Sequence, residues 1–565
     1  MKFSDCLDIE LNSRTDKDSR SRIFIFPEKI KYETKNLVKD SHQLLVRKAG
    51  QICLEPKNAC TIKKGGSIVL DFGVEIYGGI QILAFHGSGD GRVATVRLRF
   101  GESLSEVFSE LGNEQNATND HAVRDSIVCV GSVAATSEFG NTGFRFVKID
   151  LLEEEFIMIK SIRAVMLIRD VKYQGSFECN DEKLNKIWQT AAYTAHLNMQ
   201  DYMWDGIKRD QLVWIGDMGP ETSTIQAVFG YNDVVPKSLD YVRDETPLPN
   251  WMNGIASYSM WWIVILHGWH MQNGDIEYLK ENKDYLRGLC ELLGQHINPD
   301  GSEFTTGMRF LDWPTLSNEK GTDAGIHALL TLAMDLAGNL FKYLDDETMQ
   351  NYCSRMCTKL RTWIPQANGS KQVEAFQVLS GIKKTPVEGG SIEPLKVLLS
   401  KDLDGMSTFL GYYVLLAKAK NNEMQQCLDI LRSYWGKMLE LGATTFWEDF
   451  DLKWAFNANR IDELPVNGQI DIHGDQGSHC YKGFRHSLCH GWASGPAPFL
   501  SENVLGVRII EPGCKVISII PDLGDLKWVK GTYPTPFGVV SISHVRLVDG
   551  LIKTQYDLPE GVELH

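Results

Sequence analysis

Three carboxylates, one arginine and one tryptophan lie within the thirteen residues from Asp205 to Asp217. A sugar site needs such groups: the apolar face of a sugar stacks on the indole, its hydroxyls donate to carboxylates, and one protonated carboxyl acts as an acid. Gly206 and Gly216 argue against one continuous helix, so the segment is predicted to be a loop that leads into a helix. A solvated turn with a helix cap and an Asp–Arg pair fits the same residues, and this segment alone leaves both open.

The segment resembles the signature of the bacterial α-L-rhamnosidases of glycoside hydrolase family 78. The family pattern, Asp-x-x-x-Arg-(Asp/Glu)-x-x-x-Trp-x-Gly-Asp, finds its anchors here at Asp205, Arg209, Asp210, Trp214, Gly216 and Asp217. Many members have Cys-Pro after the first aspartate and glutamate at the sixth position, where this chain has Gly206-Ile207 and Asp210. Since some members use aspartate there, the resemblance implies that Asp210 is the general acid. It also implies that the sugar is bound by Asp205, Arg209, Trp214 and Asp217.

A second block supports the resemblance. Thr444-Thr445-Phe446-Trp447-Glu448 resembles the family motif Thr-Thr-x-Trp-Glu, which implies that Glu448 is the general base and that Trp447 lines the pocket. Residues 487–496 resemble the helix entry that follows in one branch of the family.

Four further aromatic or polar residues are assigned to the same pocket. Within residues 487–496, His490 is expected to bond a sugar hydroxyl, although a histidine satisfied at a helix start fits equally. Asp312-Trp313 resembles an Asp-Trp pair of the pocket. One or two aromatic residues of the helix near residue 260 should also reach the substrate, and Trp261 is selected.

The resemblance implies inversion at the anomeric carbon. Asp210 would give its proton to the glycosidic oxygen while Glu448 deprotonates the attacking water, and such a pair stands roughly 6.5–9.5 Å apart. Burial against Trp214 or repulsion from neighbouring aspartates would keep the acid protonated. Arg209 would oppose this, so it is expected to point away from Asp210, toward Asp205.

The order of sequence patterns along the 565 residues predicts a multidomain protein. Alternating β-branched runs predict an N-terminal β-sandwich over residues 1–172, and strand patterns predict a small C-terminal β-sandwich over 507–565. Between them, over 173–506, paired helical patterns predict an (α/α)6-barrel catalytic domain. The clearest helical patterns span 184–199, 258–272, 277–295, 324–340, 406–418 and 423–441.

Charge and composition restrict the partners. The formal net charge is −15 without a basic cluster, which argues against nucleic acid and anionic membranes and favours a neutral rhamnose-containing glycoside or oligosaccharide. Residues 1–8 lack the apolar core of a signal peptide, and no apolar run suggests a membrane span. A cytoplasmic protein is therefore expected, although a protein whose leader had been removed would look the same. The oligomeric state is left open, a dimer included.

Neither a cofactor nor a metal is predicted. The twelve cysteines lack the spacing of a disulfide scaffold and are expected to be mostly buried thiols. A His/Cys-rich stretch from His473 to His490, with His486 and His490 four residues apart, lacks the acidic signature of a zinc protease. The glycine-rich residues 87–91 are predicted to form a hairpin turn rather than a phosphate loop.

Three functions are weighed on these observations. The first is an exo-acting inverting α-L-rhamnosidase, the second an inverting hydrolase of the same scaffold for another sugar, and the third a non-catalytic carbohydrate-binding relative. A binding protein needs neither an acid nor a base, so the presence of both Asp210 and Glu448 favours an enzyme.

Overall fold

The computed structural model describes residues 18–47, 57–88, 92–391, 395–479 and 481–565. Some sequence predictions fall wholly or partly outside these ranges: the start of the predicted sandwich over 1–172, the judgement on a leader at residues 1–8, the tip of the turn at 87–91, and the predictions for Cys6, Cys53 and Cys480.

An antiparallel sheet of nine strands forms the N-terminal domain. Its central strand continues over 21 residues because register shifts near Phe72 and Gly79 bend it without breaking the ladder. Short helix α1 (Leu104–Phe108) follows the sixth strand. The strands are β1 (Arg20–Ile25), β2 (Lys29–Glu33), β3 (Val38–Lys39), β4 (Cys60–Lys63), β5 (Ser67–Gly87), β6 (Val93–Gly101), β7 (Asp125–Gly131), β8 (Ala135–Leu151) and β9 (Phe156–Arg169).

Helices dominate the middle of the chain, as predicted. The longer ones carry apolar residues at helical spacing, and α5 is apolar on every side, as a fully buried helix should be. They are α2 (Glu182–Asn198), α3 (Met218–Val228), α4 (Val234–Asp244), α5 (Ala256–Asn273), α6 (Ile276–Glu281), α7 (Lys283–Gln295), α8 (Trp313–Leu316), α9 (Glu319–Tyr343), α10 (Glu347–Leu360), α11 (Lys371–Leu379), α12 (Lys396–Leu399), α13 (Gly411–Lys420), α14 (Met424–Ile430), α15 (Gly436–Glu440) and α16 (Pro496–Phe499).

Six of the described helices pack in a closed circuit. In order, α3, α5, α9, α11, α13 and α16 each contact the next, and α16 returns to α3. The pattern predicted over 277–295 is two helices, α6 and α7, and the one over 423–441 is interrupted by a π-helical turn at Leu431–Trp435. Helix α9 is long and apolar enough to span a membrane, but 72% of its most apolar window is buried inside the protein, as in a core helix.

Two small sheets complete the chain. A four-stranded sheet contains β10 (Ser176–Cys179), β15 (Trp528–Thr535), β16 (Gly538–Arg546) and β17 (Ile552–Asp557), and a three-stranded one contains β13 (Val507–Ile509), β14 (Val516–Ile519) and β18 (Glu563–Leu564). A hairpin of β11 (Gly477–Ser478) and β12 (Tyr481–Lys482) precedes them. Strand β10, placed by sequence in the helical domain, pairs with β15 and so ties both ends of that domain together.

The described cysteines are unpaired thiols. Nine of the twelve lie in the described ranges, none of these nine forms a disulfide, and all except Cys129 are buried. The expectation of mostly buried thiols is confirmed for this part of the chain.

Candidate active site

The signature loop, defined here as residues 205–217, lies between the sheet domain and the helical ring. It forms irregular turns and leads directly into α3 at Met218, as predicted. Ile207, which stands where many relatives have proline, is fully buried in the core of the sheet domain. Gly216 lies against the ring of Tyr258, where a Cβ would come within 2.3 Å of a ring carbon, so only glycine allows this approach. The loop is therefore fixed from both domains.

The second block and the His490 segment lie beside this loop. The amide of Glu448 donates to the Ser487 carbonyl at 3.0 Å, and the amide of Gly491 donates to the Asp205 carbonyl at 2.8 Å. Gly206 and His490 form an isolated antiparallel bridge. Segments more than two hundred residues apart thus meet at one place.

A cavity of about 120 Å³ opens where these segments meet. Seven residues selected from sequence line it, and five unselected ones, mostly apolar or aromatic, complete the wall. The selected residues are Asp205, Asp210, Trp214, Asp217, Trp313, Glu448 and His490, and the additional ones are Ile255, Tyr258, Met308, Phe310 and Trp492. Trp492 belongs to the motif around His490, and Tyr258 begins the aromatic helix pattern, so both had a signal in the sequence.

Arg209 connects the two expected catalytic carboxylates. Its Nη2 lies 2.5 Å from Glu448 Oε2, and its Nη1 lies 3.8 Å from Asp210 Oδ1. The expectation that Arg209 points away from Asp210 and toward Asp205 is therefore wrong. The reason is that Glu448, 239 residues further along the chain, offers a buried carboxylate with which the guanidinium forms a charge-assisted hydrogen bond.

Two further contacts orient the carboxylates. The Ser487 amide donates to Glu448 Oε2 at 3.2 Å, and Trp214 Nε1 donates to Asp210 Oδ2 at 3.2 Å. His121 of the sheet domain, which the sequence analysis did not select, places Nδ1 2.5 Å from Asp210 Oδ1. The Asp210 side chain is 13% exposed, and that of Glu448 is 2% exposed.

Two further carboxyls of the same cavity, Asp205 and Asp217, have raised pKa values. Asp205 accepts the backbone N–H groups of Asp210 and Leu212, each at 3.2 Å, yet burial, followed by the charge of Asp210, raises its pKa to about 8. Asp217 accepts the Tyr258 hydroxyl at 2.9 Å, and burial raises its pKa well above the ordinary range. A buried carboxyl whose pKa is raised in this way holds its proton more tightly, and in the protonated form it can donate as well as accept hydrogen bonds.

His490 and Glu221 lie close to these aspartates. His490 Nε2 is 3.9 Å from Asp205 and from Asp217, and burial lowers the pKa of the imidazole well below its usual value, so the ring is neutral. Glu221, one turn into α3, is fully buried, and burial raises its pKa well above the usual range. Neither of its carboxyl oxygens has a hydrogen-bond partner among the described residues.

Comparison with known proteins relates the chain to a family. The model of the bacterial alpha-L-rhamnosidase concanavalin-like domain matches residues 62–168, and that of the bacterial alpha-L-rhamnosidase 6 hairpin glycosidase domain matches residues 172–352. The chain belongs to the bacterial α-L-rhamnosidase family.

Curated relatives carry the same family name. A Formosa agariphila protein named alpha-L-rhamnosidase is 22% identical over 550 residues, which cover 87% of this chain and 55% of that protein. A second one from the same organism is 27% identical over 171 residues, 29% of this chain and 17% of that protein. The chain thus spans about half the length of the first of these relatives.

Solved structures share the fold. The GH78 family rhamnosidase of Bacillus sp. GL1 superposes with a TM-score of 0.73 at 21% identity, covering 93% of this chain and 55% of that one. A rhamnosidase from Klebsiella oxytoca, solved with rhamnose bound, gives 0.65 at 19% identity, covering 85% of this chain and 95% of that one.

Besides Arg209, three residues assigned to the pocket from sequence lie outside the cavity lining. Trp261 is fully buried against Phe376, Phe409 and Tyr413, and Trp447 is 1% exposed. Trp261 packs in the core because an inner helix turns part of its surface toward neighbouring helices. Trp447 lies outside any helix and packs against Phe450.

Asp312 is the third such residue. It caps α8 and accepts the Ser407 hydroxyl at 2.8 Å, and so supports Trp313, which does line the cavity.

A buried acidic cluster beside the signature loop is neutralised by a lysine. Glu102, Glu106 and His473 lie close enough together to suggest a metal site. Lys208 Nζ, however, lies 3.0 Å from Glu102 and 3.3 Å from Glu106, and both ring nitrogens of His473 are already bonded, to Ser103 and to the His486 carbonyl. The lysine supplies the positive charge that a metal would bring, so these residues do not fit a metal site.

Proposed function

We propose that the chain is an exo-acting inverting glycoside hydrolase that removes terminal α-L-rhamnose from neutral glycosides or oligosaccharides. Asp210 is the general acid and Glu448 the general base. One observation carries the proposal: the two carboxylates come from distant segments, line one cavity and contact one guanidinium. The closed circuit of six helices supports an (α/α)6 barrel as the scaffold.

The proposed chemistry follows from these positions. Asp210 protonates the glycosidic oxygen as the bond to the anomeric carbon breaks, and Glu448 takes a proton from the water that attacks the opposite face. Asp210 ends ionised and Glu448 protonated, and exchange with solvent restores both. Arg209 remains charged and holds both carboxylates toward the cavity. The neutral carboxyls of Asp205 and Asp217 exchange hydrogen bonds with sugar hydroxyls.

The cavity wall supports a 6-deoxy sugar as the substrate. Its small volume suits one sugar ring rather than a stretch of polysaccharide, which supports exo action. Ile255 and Met308 offer an apolar surface for a methyl group, and Trp313 offers a ring on which the sugar can stack. The bound rhamnose named for the Klebsiella oxytoca relative is consistent with this substrate.

Hydrolysis of an aryl α-L-rhamnopyranoside tests the proposal. Wild type should release the aryl group, and Asp210→Asn and Glu448→Gln should each lower kcat by about 10²–10⁴-fold, because each removes one proton-transfer group. Glu178→Gln, a change at a carboxylate that is 55% exposed on β10, is the matched control and should leave kcat unchanged.

Proton NMR of the first-formed sugar tests the stereochemistry. Inversion gives the β-anomer first, so α-rhamnose as the first product would refute the assigned roles. Cleavage of other aryl glycosides, but not of the rhamnoside, would keep the mechanism and change the sugar. Rhamnose binding without turnover of any glycoside would indicate a non-catalytic relative.

A further inference from the structure

A histidine of the sheet domain reaches the proposed acid. His121 lies in the connection between α1 and β7, and its Nδ1 is 2.5 Å from Asp210 Oδ1. The imidazole is 25% exposed, so the contact lies at the edge of the cavity. It is close but not aligned as a hydrogen bond, and catalytic hydrogen bonds commonly align only around the substrate. The acid is thus contacted from both domains.

Arg485 determines which ring nitrogen of His121 carries the proton. Its Nη2 lies 2.8 Å from His121 Nε2, and a guanidinium has donors only, so Nε2 accepts and Nδ1 carries the N–H that faces Asp210. Asp120 pairs with Arg485 at 2.9 Å and stands 3.5 Å from the same Nε2. Asp120, Arg485 and His121 thus form a chain of contacts that ends at Asp210.

We infer that His121 is a positioning residue for the general acid, an inference that rests on the proposed function. Once substrate aligns this contact, its Nδ1–H donates to Asp210 Oδ1, and the proton that Asp210 transfers is carried on Oδ2, the oxygen that accepts from Trp214 Nε1. When the glycosidic bond breaks, that proton leaves with the aglycone oxygen and the carboxylate accepts the N–H of His121 more strongly. His121 itself gains and loses no proton.

The surroundings of His121 contain further charged groups. The Arg209 guanidinium also reaches the acid that His121 contacts: its Nη1 lies 3.8 Å from Asp210 Oδ1. A small cavity beside the imidazole is lined by residues of the sheet domain and of the signature loop, among them Glu106, Arg124 and Lys208. Because several charges act here, the leaving-group dependence of the rate is a cleaner readout than a pH profile.

The test compares two aryl α-L-rhamnosides with His121→Ala. A dinitrophenyl leaving group departs without protonation, whereas a phenyl leaving group needs the acid. We expect kcat on the phenyl glycoside to fall about 10-fold to 100-fold, kcat on the dinitrophenyl glycoside to change less than about threefold, and KM to stay nearly constant. His121→Asn, whose amide can replace the Nδ1 donor, should restore most of the activity.

Two further variants separate positioning from folding. Because His121 acts through Asp210, adding His121→Ala to Asp210→Asn should cause no further loss. His42→Ala, at an exposed histidine of the same domain, is the control and should match wild type. If His121→Ala does not fold, Arg485→Met replaces it in the test. This change removes the donor that keeps the His121 proton on Nδ1, so it should show the same dependence on the leaving group.

The outcomes are distinguishable. Equal losses on both glycosides, additive losses in the double variant, or full activity of His121→Ala would overturn the inference while leaving the proposed function intact. A wild type that cleaves neither glycoside would refute the proposed function itself.

Discussion

Replacing Lys208 with methionine should destabilise the junction between the sheet domain and the helical domain. Lys208 Nζ lies 3.0 Å from Glu102 and 3.3 Å from Glu106, and it donates to the carbonyls of Phe484 and His486 at 2.7 Å each. The lysine side chain is 8% exposed and both glutamates are fully buried. Methionine is unbranched like lysine and only one heavy atom shorter, but it leaves two buried carboxyl groups without their cation.

The expected loss follows from this burial. Removing one partner of a buried ion pair costs about 3–5 kcal/mol. If the 565 residues unfold as one unit, with an unfolding entropy of about 2.1 cal/mol/K per residue, Tm falls by roughly 3–4 °C.

The loss should also depend on pH. Burial raises the pKa of Glu102 to about 7 even beside Lys208, above its ordinary value of 4.5, so the folded state disfavours the ionised form. Its contribution to stability is therefore most favourable below pH 4.5 and declines as the pH rises toward 7. Without the cation the pKa of folded Glu102 rises further, so this decline should continue to higher pH, and the gap in stability between variant and wild type should widen from pH 5 to pH 8.

Thermal unfolding followed by circular dichroism at pH 5 and pH 8 measures both effects. Lys208→Arg keeps the positive charge, so its Tm should fall less than that of Lys208→Met. Lys530→Met removes an exposed pair with Glu178, 2.9 Å apart and 55% exposed on each side, and should cost only about 0–1 kcal/mol. This reasoning would be refuted if Lys208→Met had the same Tm as wild type at pH 8. It would also be refuted if the fall in Tm were equal at pH 5 and pH 8.

Two glycines and one aspartate give further predictions. A Cβ on Gly268, inside α5, meets no atom within 4 Å, so Gly268→Ala should stabilise the protein by about 0.5–1 kcal/mol in thermal unfolding. A Cβ on Gly491 would lie 1.4 Å from Glu221 Oε1, so Gly491→Ala should lower both Tm and kcat/KM; similar responses of the two glycines would contradict the packing described. Because burial raises the pKa of Asp205 from 3.8 to about 8, wild-type stability should decline as pH rises between these values. Asp205→Asn cannot ionise and should show a flatter dependence of Tm on pH over that window; parallel curves would count against the assignment.

Local sequence was sufficient for the features that depend on near neighbours. The glycines of residues 205–217 and the apolar pattern after them correctly predicted a loop that enters a helix. Alternating β-branched residues located the main strands, because side chains on a strand face opposite sides at every second residue. The two motifs also indicated the family, and they selected Asp210 and Glu448, which the fold brings to one cavity.

Contacts between distant segments were decided only by the tertiary structure. The sequence patterns place Trp261 and Trp447 in the pocket, but both are buried in the core, because which side chains face a cavity depends on how the elements pack. The partner of Arg209, the approach of His121 to the acid and the pairing of β10 with β15 join residues up to several hundred positions apart. Burial and charge pairing act through space, so these contacts are set when the chain closes into its fold and not by the order of residues along it.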